Sequence, residues 1–206
     1  MNSITVSKRY NFLLVLLVQL ISSLAFAENG EIKIFGFVSL PIDRPAVITR
    51  RLDHLASPSA SIMAQFKNYL SSQGADTELE KISAVNSWVN GKIEFTNDLD
   101  DQWKNANQTL AAGKGDCEDH AITKLQLLRN IGFADDQLLF MVVNDLALRQ
   151  MHAILVVEVD SEYYVLDNVT DKLLPHSQFS SVFTPMWAVT SKKSWTFGRQ
   201  RIQEDQ

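Results

Sequence analysis

Apolar residues recur at helical spacing through the first two thirds of the chain and in continuous or alternating runs after it. From Glu31 to Leu40, Ile32, Ile34, Phe35, Phe37 and Val38 predict one short strand closed by Pro41. Ile62, Met63, Phe66, Tyr69 and Leu70 predict a helix over 59–70, ended by Ser71-Ser72-Gln73-Gly74. Thr77 with Glu80 is a capping box opening a second helix, whose stripe is Leu79, Ile82, Val85 and Val89 and which Asn90-Gly91 ends. Trp88 reads as core, residues 93–95 as a short extended piece, 97–101 as a polar loop, and 109–112 as one helical turn. After Gly132 come three strand patterns, at 137–144, 152–159 and 163–167, with Asp160-Ser161-Glu162 turning between the last two. Helices first and antiparallel strands afterwards make an α+β layout, with N-terminal helices packed on an antiparallel sheet.

One stretch stands apart from these patterns. Gly113-Lys114-Gly115-Asp116-Cys117-Glu118-Asp119-His120 runs into a helix whose buried stripe is Ala121, Leu125, Leu128 and Ile131, with Gly132 at the C′ position. Cys117, the only cysteine, falls in the first helical turn, where free N–H groups and the dipole favour a thiolate. A lone cysteine is also commonly a small core residue. The glycines and the three acids beside it weigh against burial and leave the two readings level until partners are considered.

Among 206 residues, the first 27 do not belong to the folded part. Lys8-Arg9, an apolar run over 12–24 and Ala25-Phe26-Ala27 together read as a cleaved export signal, leaving one domain over 28–206. Export changes the meaning of the cysteine, because exported domains usually carry cysteines in pairs. Removing Lys8 and Arg9 from the 19 basic residues leaves 17 against 24 acidic, a net charge of −7. That balance excludes nucleic acid as a partner.

A cysteine nucleophile needs a base, and the base needs an orienting group. His120 is tied to the nucleophile's own helix, and His54 and His176 lie in polar loops, so His152 is the preferred base. A two-residue turn at Asp160-Ser161 sets Asp167 opposite Ile154, and one at Ser161-Glu162 sets it opposite Val156. Either register puts Asp167 on the face of His152. Asp116, Glu118 and Asp119 can act as helix N-terminal acids, with Asp116 as N-cap. They can also bind a hard cation, calcium before magnesium, with Asp116 and Glu118 ahead of Asp119; such an ion would offset the carboxylates that raise the thiol pKa. Trp103 reads either as a lid packed on the loop or as a residue near the site.

The run Gly113 to Ala121, with His152 and then Val165-Leu166-Asp167-Asn168 downstream, resembles the bacterial transglutaminase-like cysteine peptidases, in particular the LapG-type periplasmic proteases. The resemblance implies a papain-like, transglutaminase-like core. It assigns Cys117 as nucleophile, His152 as base and then acid, Asp167 as orienter, and Asp116 and Glu118 as calcium ligands. It further implies cleavage of the N-terminal periplasmic region of a large surface adhesin, release of biofilm, and restraint by an inner-membrane cyclic-di-GMP receptor. A transglutaminase-like acyltransferase or deamidase and a non-catalytic calcium-stabilised binding module are the competing expectations.

Overall fold

The computed structural model describes residues 31–43, 48, 51–52, 55–97 and 102–199. The export signal, Arg44, Arg50, His54 and most of the 97–101 loop lie outside the described residues. The chain divides into a unit of residues 1–32 and one of residues 33–206, and every element below belongs to the second.

Among the described residues, three helices of defined bounds precede the cysteine. Helix α1 spans Ala60–Gln73, capped by the Ser59 hydroxyl and ended by Gly74 in the left-handed region, at φ 62°. Helix α2 spans Glu78–Lys92. Its capping box is complete: Glu80 N–H donates to Thr77 Oγ1 at 3.2 Å and Thr77 N–H to Glu80 Oε2 at 2.8 Å. Such a cap stabilises by about 1 kcal/mol. Strand β3, Glu94–Phe95, pairs in parallel with β4, Lys114–Gly115, and between them α3 covers Ala106–Ala112.

Helix α4, Cys117–Asn130, is the centre of the molecule. It packs on α2, α3, β5 (Leu138–Asp145) and β6 (Gln150–Val159), and every residue from Asp119 to Leu128 is buried. The sequence predicts one apolar stripe, but the helix is covered on all sides. The remaining strands are β1 (Lys33–Ile34), β2 (Phe37–Pro41), β7 (Glu162–Leu166), β8 (Leu174–Pro175), β9 (Phe183–Val189) and β10 (Ser194–Gly198). They join β5 and β6 in one antiparallel sheet of order β1-β2-β10-β9-β5-β6-β7-β8. The α+β expectation, helices on an antiparallel sheet, therefore holds.

Several local expectations change. The strand expected at 31–40 is a hairpin turning at Phe35 and Gly36, with φ 53° and 81°. A phenylalanine rarely takes that conformation. Here its buried ring packs on His176, Phe179 and Phe183, and its N–H donates to His176 Nδ1 at 3.1 Å. Helix α2 runs through Asn90-Gly91, because the Asn90 amide is engaged by a distant segment, as shown below. Ile48, Arg51 and Leu52 have helical backbone. Leu79, placed on the α2 stripe, is exposed, whereas Trp88 is in the core as expected.

Gly115 shows why glycine precedes the cysteine. A Cβ there would lie 2.7 Å from both Cβ and Oδ2 of Asp119 and 3.1 Å from Thr109 Cγ2. Asp119 is fully buried and cannot retreat. Gly115→Ala is therefore expected to cost about 1–3 kcal/mol by overpacking, read as a lower midpoint in chemical denaturation; an unchanged midpoint would show that the backbone here yields freely.

Candidate active site

The sulfur is placed by the start of α4. Asp116 caps the helix, its Oδ1 accepting the Asp119 N–H at 3.2 Å. Cys117 sits at the first helical position with its Sγ donating to Glu118 Oε2 at 3.0 Å. Burial pushes the thiol well above its ordinary value, and the Glu118 carboxylate and Asp116 add to that, while the Ala153 backbone N–H directed at the sulfur works the other way. The helix effect alone does not produce a thiolate here; burial and neighbouring negative charge outweigh it.

The imidazole is placed by β6, which begins two residues earlier than the sequence pattern suggests, so that His152 is its third residue and pairs with Val143. The β6–β7 hairpin turns at Asp160-Ser161, both at positive φ (52° and 65°), with Val159 opposite Glu162 and Leu155 opposite Leu166. This is the first of the two possible registers, and it brings Asp167 to His152. His152 Nε2 and Asp167 Oδ1 are 2.8 Å apart, and both residues are only 4% exposed. A carboxylate acceptor places the ring proton on Nε2 and leaves Nδ1 as the basic nitrogen. The Val169 N–H also donates to Asp167 Oδ1, at 3.1 Å. Burial works to raise the Asp167 pKa, but the hydrogen bond and charge of His152, the Val169 N–H and the Lys124 ammonium outweigh it and hold the carboxyl below its ordinary range.

A cleft of about 500 Å³ contains Cys117, His152, Asp116, Glu118 and Asn168. Its rim is largely apolar: Phe95, Leu148, Met151 and Val169 line it and are exposed, Met151 by 68% and Val169 by 66%, with Asn97 and Gln150 as exposed polar residues among them. Leu148 is presented by a turn in which Asp145 Oδ1 accepts the N–H groups of Ala147 and Leu148, at 2.8 and 2.9 Å.

Other residues singled out by the sequence lie elsewhere. Asp119, grouped with the metal ligands, is turned away from the cleft and fully buried. Its Oδ1 accepts the Lys104 backbone N–H and its Oδ2 pairs with Lys104 Nζ, each at 2.8 Å, so its oxygens are committed to the scaffold. His120 is also a scaffold residue. Its Nδ1 lies 2.6 Å from Asp116 O and its Nε2 3.2 Å from Ile93 O, and burial lowers its pKa. Trp103 packs at a tilt of 44° against Phe140 with Arg51 over its ring, outside the cleft lining.

Asp116 and Glu118 remain the acids that face the cleft, while among the described residues no cluster of three or more His, Cys, Asp or Glu side chains is grouped to hold a metal. The donor set fits a hard cation in part: two carboxylates flank a thiol whose ionisation they oppose, a conflict that a bound positive charge removes.

Sequence reasoning missed the support behind the dyad. Asn90 Nδ2 donates to Asp167 O, Thr170 O and Asp171 Oδ1 at 2.9, 3.2 and 2.9 Å, and Asn86 Nδ2 to Thr170 O at 2.8 Å. The available signal was two asparagines four apart on a helix face, where apolar residues would otherwise be expected.

No curated protein sequence matches the chain. Two solved structures of Legionella pneumophila LapG share its fold. The calcium-bound one is 24% identical with a TM-score of 0.59, covering 78% of this chain and 92% of that one. The EGTA-treated one is 25% identical with a TM-score of 0.58, covering 76% and 87%. The family model for the bacterial transglutaminase-like cysteine proteinases matches residues 59–202, and the chain with its buried cysteine helix and curled antiparallel sheet belongs to that family.

Proposed function

We propose that this chain is a calcium-dependent cysteine endopeptidase in which Cys117 attacks, His152 moves the proton and Asp167 orients His152. The observation that carries this reading is the 2.8 Å His152–Asp167 pair on the wall of the cleft that holds Cys117. His152 Nδ1 takes the thiol proton as sulfur attacks the peptide carbonyl carbon. The oxyanion is stabilised by the Cys117 backbone N–H and one further donor. His152 then protonates the leaving amine, giving a thioester. Water attacks that thioester as His152 accepts its proton, and the new C-terminus leaves. Asp167 stays ionised throughout and holds the ring in the required tautomer. Asp116 and Glu118 would hold the calcium, whose positive charge offsets the carboxylates that keep the thiol protonated. The calcium-bound and EGTA-treated states of the similar LapG structures support calcium as the ion.

The open, apolar-rimmed cleft suits an extended polypeptide better than the buried access route that favours amine transfer. The export signal places the enzyme in the periplasm in this reading, and among the described residues no helix is long and apolar enough to cross a membrane. The substrate is the N-terminal periplasmic region of a large surface adhesin, whose cleavage releases biofilm, and an inner-membrane cyclic-di-GMP receptor is the inhibitor.

Incubation with periplasmic extract followed by terminal-peptide mass spectrometry is expected to yield new N-termini with wild type and none with Cys117→Ala or with chelator; matching profiles in all samples would exclude the peptidase. Asp167→Asn is expected to lower kcat by about 10³–10⁴-fold. Because the folded carboxyl ionises below its unfolded value, its contribution to stability is present above that value and is lost as pH falls through the folded one. Thermal unfolding of Asp167→Asn should therefore vary less with pH below about pH 4, and a slope equal to that of wild type would remove Asp167 from the acid response. Glu118→Gln, without calcium, should speed iodoacetamide labelling of Cys117 by about tenfold near neutral pH; an unchanged rate would show that Glu118 does not govern the thiol.

A further inference from the structure

Lys124 is fully buried on α4, seven residues beyond Cys117 and so about two turns down the same side of the helix. Its Nζ has no hydrogen-bond partner. An isolated ammonium in a protein interior is costly and does not help a chain to fold. Its surroundings are one-sided. The charges that act on it favourably are Asp167 and Asp171, at the two ends of the segment that follows β7. That segment is clamped from α2, which packs on α4, by Asn86 and Asn90. The Oδ1 atoms of Asn86 and Asn90 and that of Asn168 are buried and, like Lys124 Nζ, have no partner. Unused donor capacity on α4 and unused acceptor capacity on α2 and at Asn168 are thus both buried, and the charge of Lys124 acts on the carboxylate that pairs with His152. Burial brings the ammonium down to about 7 against the pull of the two aspartates, and His120 is the other ionisable group that interacts with it.

We propose that Lys124 is a positioning residue whose buried ammonium is kept for the His152–Asp167 pair and not for the fold: its charge acts on Asp167 and Asp171 at the two ends of the 167–171 segment, and so shares the Asp167 charge that orients His152. This inference rests on the assignment of His152 and Asp167 made above. Sharing that charge tempers the hold of Asp167 on the imidazolium, so that His152 releases its proton to the leaving amine.

The test compares wild type with Lys124→Met, which keeps length and bulk without charge, using NMR titration of the His152 imidazole (its signal identified by loss in His152→Asn), thermal unfolding, and turnover where a substrate is cleaved. Lys124→Met should unfold at or above the wild-type temperature. Its His152 titration midpoint should rise by about half a pH unit or more, and kcat should fall by about tenfold or more with KM within about twofold. An unmoved His152 midpoint overturns the proposal whatever happens to turnover. Loss of folding in both Lys124→Met and Lys124→Leu overturns it as well, because the ammonium would then serve the fold. The titration needs no substrate, so a shifted midpoint in a protein that cleaves nothing would support this inference while rejecting the peptidase reading.

Discussion

The burial of α4 on every side is the constraint from which the rest follows. A helix buried from Asp119 to Leu128 against two helices and two strands has no freedom to slide or rotate. Its first residue therefore occupies one point in space, and that residue is Cys117. Close approach at the same end requires Gly115 to lack a side chain, because the buried Asp119 occupies the space. Asp119 in turn is held by Lys104, and His120 spans the carbonyls of Asp116 and Ile93. The motif around the cysteine is thus mostly structural by residue count, and the structure it builds positions one sulfur.

Electrostatics divides the site into two halves of opposite character. On the sulfur side, burial and the Glu118 carboxylate keep the thiol protonated. On the imidazole side, His152, the Val169 N–H and Lys124 keep Asp167 ionised despite burial. The two halves are carried by different elements, the helix start and the β6–β7 hairpin, and meet at one cleft. A carboxylate in hydrogen-bond contact with a thiol is a poor arrangement for a nucleophile and a sensible one for a site that a cation controls.

The Asn86–Asn90 clamp explains why Asp167 stays in register after its strand has ended. Strand β7 stops at Leu166, so no ladder hydrogen bond restrains the carboxylate's own residue. The asparagines supply that restraint from α2, which is also why α2 continues past the point where its sequence suggests a stop. Helix length, hairpin register and site geometry are coupled through these amides.

Local chemistry made much of this legible in advance. The capping box at Thr77, the helix opening at Asp116, the paired strands after Gly132 and the shared face of His152 and Asp167 all depend on neighbours within a few residues or on the two-residue period of a strand. Three kinds of feature were not legible. The turn at Phe35 needs rings that lie 141 residues and more further along the chain to hold a phenylalanine in the left-handed region, and β9 and β10 gained their place by pairing with β5 and β2. The ranking of the three acids, Asp116 and Glu118 ahead of Asp119, was legible, but the partner of Asp119 was not: Asp116 and Glu118 face the cleft while Asp119 faces Lys104, a choice made by helix rotation against a neighbour fifteen residues away. Periodicity and caps act along the chain and can be read from it, whereas the partner a buried charge finds depends on which distant segments the packed core brings within a few ångströms.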